Sequence, residues 1–97
     1  MSKEAQQVDD REEERQQRLA ELLADNGVAW AEQYTTGSFG CHELLDRTAF
    51  VANILEEYVL SHPACIQNKD WFRLAKEAAG ALHNLYQEVG EAHLAEK

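Results

Sequence analysis

Little in this chain breaks a helix or builds a sheet. One proline, Pro63, stands among 97 residues. β-Branched residues are sparse and do not alternate with polar ones, so strand signals are missing. No apolar run approaches the ~20 residues that a membrane-spanning helix needs. The first residues lack the apolar stretch of a signal peptide, which makes the cytoplasm the expected compartment. Lys and Arg form no cluster, and phosphate-backbone binding rests on such clusters. A nucleic-acid partner and a membrane partner are therefore both unexpected. Cysteine is limited to Cys41 and Cys65. The two flank an expected helix about 30 Å long, and a disulfide needs Cα atoms within about 7 Å. They read as free thiols of a reducing compartment.

What is present is acid and helical spacing. Eighteen acidic and nine basic residues give a net charge of −9. The excess is even along the chain: eight acids and four bases fall in residues 1–26, ten and five in 27–97. No separate tail or arm of one sign exists. Solubility is the plain reading of such a charge, docking to a basic partner or mimicry of nucleic acid the sharper one.

The expected fold is all-α: a small bundle of three principal antiparallel helices, joined by short loops at 35–40 and 63–68. Residues 1–18 read as a charged arm or exposed helix start, and 19–97 as one bundle domain. Asp9 or Asp10 is placed to cap the first helix, with Glu14 and Arg18 spaced for an ion pair. A stripe of Leu19, Leu22, Leu23, Trp30 and Tyr34 keeps one register across Asp25-Asn26-Gly27. This predicts a long helix, kinked or briefly broken near Gly27. The second helix is expected from Cys41 to Ser61. Its stripe is Cys41, Leu44, Leu45, Thr48, Ala52, Leu55 and Val59, with Pro63 ending it. His62 is expected to answer the dipole at that C-terminus. The last helix, capped by Asn68 or Asp70, carries Trp71, Ala75, Ala78, Leu82, Leu85, Tyr86 and Val89 on one face and frays after Gly90.

Two sets of residues are candidates for function. Phe50 and Ile54 lie off the main stripe of the second helix, and a helix apolar on two sides is central in a bundle or part of an interface. Phe72 and the small-residue surface at Gly80 are the matching contact candidates on the last helix. The second set lies where Gly37-Ser38-Phe39-Gly40 runs into Cys41-His42-Glu43-x-x-Asp46. A thiol at a helix start is activated by the dipole. His42 and Asp46, four apart, share one side. The zinc-protease helix has a second histidine where Asp46 stands, so two potential ligands remain, too few to define a metal centre. His83 and His93 are candidates to complete a ligand site or to serve Cys41 as base. The glycine loop leads into a helix start, which favours anions, but lacks the lysine of a Walker loop. Packing, capping and turn formation account for most of these residues; His42 is the one they leave unexplained.

No complete catalytic set emerges, and no cofactor or metal is assigned. The expected function is a small acidic interaction or regulatory module that self-associates as a homodimer. The alternatives are a small metal- or ligand-binding enzyme centred on His42 and Asp46, and an acidic inhibitor mimicking nucleic acid.

Overall fold

The computed structural model describes residues 3–95, with side chains from Asp10 onward. Met1, Ser2, the side chain of Asp9 and the last two residues of the expected 19–97 domain lie outside this description. The fold class is all-α, with no strand among the described residues. The expected bundle of three helices is not what forms. Five α-helical segments occur among the described residues, and the chain divides into two compact units, Met1–Gln33 and Tyr34–Lys97.

The first unit holds α1 (Lys3–Asn26) and the short α2 (Val28–Ala31). The helix starts well before Asp9 and Asp10, because Lys3-Glu4-Ala5-Gln6-Gln7 are themselves good helix formers. Asp10 is therefore interior and caps nothing. Arg15 donates from Nε to Glu12 at 2.8 Å, Gln16 donates to the same carboxylate, and Arg18 pairs with Glu14 at 3.1 Å. At Gly27 the helix breaks. Its φ of 88° is one that a glycine adopts without strain, and its N–H closes the last turn on the Leu23 carbonyl at 2.8 Å. A 3-10 turn, Glu32–Tyr34, follows α2.

The second unit is a helical hairpin. Its first limb is α3 (Phe39–Ile54), which continues as a π-helical stretch over Leu55–Leu60. A short α4 (Pro63–Ile66) makes the corner, and α5 (Lys69–Ala95) returns. The limbs are antiparallel: Leu45 near the start of α3 meets Gly90 near the end of α5, while Leu60 and Phe72 lie together at the corner.

Caps explain the boundaries. Ser38 accepts the Cys41 N–H on its Oγ at 3.1 Å, so α3 begins two residues earlier than spacing suggested. His62 does not close the preceding helix. Its Nδ1 accepts the Ala64 N–H at 3.1 Å and caps α4, where Pro63 takes the first helical position that suits it. Asn68 caps α5 by accepting the N–H groups of Asp70 and Trp71, both at 3.1 Å. α5 runs on past Gly90 to Ala95.

The π stretch changes which side chains face inward. An α-helix would carry the stripe from Leu55 to Val59; a π turn, with one more residue, carries it to Leu60. Accordingly Leu60 is 5% exposed and Val59 is open to solvent. The Ser61 hydroxyl donates to the Glu56 carbonyl at 2.8 Å, five residues back. Leu60, Cys65 and Ala75 form the buried core, with Ala79 against them. Both cysteines are free thiols, Cys65 buried and Cys41 partly so.

Candidate functional site

The first turn of α3 meets the last turns of α5. The turn before α3 needs Gly37 at a φ of 87°. Ser38 then adopts extended geometry, caps Cys41 with its side chain and accepts the His42 N–H on its carbonyl at 3.1 Å. Glu43 and Asp46 lie past the first turn, so neither answers the positive end of the helix directly. Each has another partner. Glu43 pairs with Arg47 at 3.1 Å, and an Asp46 oxygen stands 3.6 Å from His42 Nε2.

His93 reaches this point from the far helix. Its ring centroid is 5.5 Å from that of His42, with the planes tilted by 41°. The two imidazoles, Gly37, Ser38 and Phe39 line an open cavity of about 310 Å³. Phe39 stands at the rim, 87% exposed. His93 is the opposite case: it is 2% exposed, and neither ring nitrogen has a hydrogen-bond partner. A buried polar group left unpaired costs roughly 1–3 kcal/mol, so the position asks for an explanation.

Of the sequence candidates, the fold brings His42 beside Asp46 on its own helix and beside His93 from the far one. Cys41 lines a separate hollow with Leu44, Leu85 and Glu88. His83 is exposed on the outer side of α5, away from both. Among the described residues no three His, Cys, Asp or Glu side chains form a group able to hold a metal ion. Phe50, Ile54 and Phe72 are all exposed, Phe50 the most, and a Cβ at Gly80 would meet open space.

Periodicity did not reveal how α5 divides its apolar arc. Trp71, Ala78, Leu85 and Tyr86, expected inward, are exposed, while the buried and half-buried positions are Ala75, Ala79, Leu82, Val89, Gly90 and His93. The signal was available as two interleaved heptad series: 71, 74, 78, 81, 85 and 75, 79, 82, 86, 89, 93. None of the helices among the described residues is long and apolar enough to cross a membrane. No family model, curated protein or solved structure matches the chain, so its function is argued from this geometry.

Proposed function

We propose that this chain is a small acidic interaction module that self-associates, two hairpins stacking face to face as a four-helix bundle. The observation that carries it is a second apolar seam on each limb. On α5, Trp71, Leu74, Ala78, Ala81 and Leu85 are spaced 3-4-3-4 and exposed. On α3, Leu44, Val51 and Ile54 repeat the spacing, with Arg47 in the remaining position, and the π extension adds Tyr58 and Val59. Each seam is turned about 90° from the inward one on the same helix, at ~100° per residue. Because the limbs are antiparallel and the rotation has the same sign on both, the two outer seams share one face. Leu44 and Leu85 line one hollow of that face, Tyr58 and Trp71 another. Ile54 belongs to it, and Phe50 lies about a quarter turn beyond.

A helix with two such seams has two helical neighbours, which is the arrangement inside a four-helix bundle. A lone hairpin offers each limb one. Two-fold symmetry supplies the other with the same 3-4 spacing that the face itself presents. The exposed part of these side chains sums to on the order of 800 Å², about what each partner contributes to a standard interface. Arg47 is the one charged member of the seam positions between Leu44 and Leu85, so stacking two strongly acidic chains this way brings few acids together.

Native mass spectrometry of the full chain tests this. The expected species is about 22 kDa, twice the 11.0 kDa chain. A monomer at micromolar concentration would sink the proposal.

A further inference from the structure

The opposite face of the hairpin carries the cavity between His42 and His93, and its argument stands whether or not the apolar face dimerises. We propose that this cavity binds a phosphate group, as inorganic phosphate or as the head of a small phosphomonoester.

The polarity of the site comes from backbone first. α3 is 16 residues long and its N-terminus opens at the cavity. Ser38 satisfies the amides of Cys41 and His42. The amides of Phe39 and Gly40 have no acceptor within the helix and are left for an outside oxygen. The first turn contains no acidic residue, so the positive end of the dipole is not cancelled by a carboxylate of its own turn.

The second, independent observation is His93. It is almost wholly buried at the cavity wall with both nitrogens unpartnered. A ligand oxygen is the partner that the protein does not supply. Those nitrogens are shielded from bulk water, so engagement requires the imidazole to turn toward the cavity, and the ring itself reports binding. His42 closes the other side. Asp46 stands by its Nε2 at 3.6 Å and can fix the ring, leaving Nδ1 uncommitted. The glycine loop has no lysine; two imidazoles stand beside it instead, and one of them comes from the far end of the chain.

A cation fits worse. The helix end is positive, and no three-ligand group exists among the described residues. The cavity, about 310 Å³, exceeds a bare phosphate and leaves room for an organic body. Exposed Phe39 offers that body an aromatic surface.

The test is an NMR titration of the full chain, uniformly ¹⁵N-labelled, with inorganic phosphate, phenyl phosphate and zinc chloride in separate arms. Saturable shifts of the Phe39 and Gly40 amides and of the His93 ring nitrogens are expected with phosphate. Phenyl phosphate should bind tighter if the source is an ester with a ring, and equally if it is free phosphate. His42→Gln, an exposed position, and His93→Leu should each weaken binding by about tenfold or more. His42→Gln keeps the test decisive if His93→Leu does not fold. Absence of saturable shifts at about 10 mM phosphate, wild-type affinity in folded variants, or ring shifts produced by zinc alone would each overturn the proposal.

Discussion

Replacing Leu74 with alanine separates a dimer built on the outer seams from one built elsewhere. Leu74 sits at the middle of the α5 seam and is 54% exposed in the hairpin. Full burial of a leucine side chain is worth about 1.5–3 kcal/mol. Roughly half of that, about 0.8–1.5 kcal/mol, is still to be gained when a partner covers it. Two-fold symmetry counts the loss twice, giving about 1.5–3 kcal/mol per dimer. At 1.4 kcal/mol per decade, Kd should rise about 10- to 150-fold. The hairpin itself should not suffer, since the side chain is largely outside its core and alanine is the best helix former. Sedimentation equilibrium over a range of micromolar concentrations measures both constants. Phe50→Ala is the control: that side chain is more exposed than Leu74 but lies off the face. A change of less than about threefold for Leu74→Ala, or a larger effect at Phe50 than at Leu74, would refute the placement of the interface.

Three further outcomes follow from single residues. Leu60→Ala should cost about 2–4 kcal/mol and lower the melting temperature of the second unit sharply, because Leu60 is the largest member of a three-residue core; a loss below about 1 kcal/mol would mean that the π stretch does not set the register. Gly80→Ala should stabilise by about 0.5–1 kcal/mol, as the added methyl meets open space in a helix interior; a drop in association instead would restore Gly80 as a contact point. In the first unit, the hydrogen bonds from Arg15 and then Gln16 hold the Glu12 carboxyl down at about 2 from an ordinary 4.5. A depressed pKa stabilises above the unfolded value, so the contribution is present above pH 4.5 and is lost as pH falls toward 2. The pair is exposed and screened by salt. A carboxyl NMR titration should place Glu12 lowest among the glutamates, and Arg15→Gln should return it toward the rest.

Helix identity was readable because nothing competed with it. The break at Gly27, the Glu14–Arg18 pair and the cap at Asn68 are local, and each depends on residues within four positions of one another. Boundaries set by a single side chain were harder. The Gly37–Gly40 loop was legible as the turn into a helix, yet which glycine takes the positive φ was not, and α3 starts two residues earlier than spacing suggested. His62 was misassigned because an imidazole suits a C-terminus by charge and an N-terminus by its Nδ1 lone pair; Pro63 decided for the second. The pairing of His42 with His93 was legible only down to two candidates on the last helix, His83 and His93. The two are separated by half the chain, and their approach depends on the corner at α4 fixing the register of one limb against the other.

The π stretch ties the core, the apolar face and the site to one register. Had α3 continued as a plain α-helix, Val59 would have filled the core and Leu60 would have turned outward. The extra residue in the turn does the reverse. It seats Leu60 against Cys65 and Ala75, and it leaves Tyr58 and Val59 beside Trp71 on the rim of a hollow in the apolar face. The opposite end of the hairpin has no comparable apolar plug. There the inward seam of α5 ends in His93 and that of α3 starts at Cys41, a small residue only partly covered. A hairpin tightened by leucine at its corner and closed by a buried, unpaired imidazole at its mouth concentrates its packing where the chain reverses. Among the described residues, the buried side-chain polar atoms without a partner are the two nitrogens of His93 at that mouth, and that is where a ligand has most to contribute.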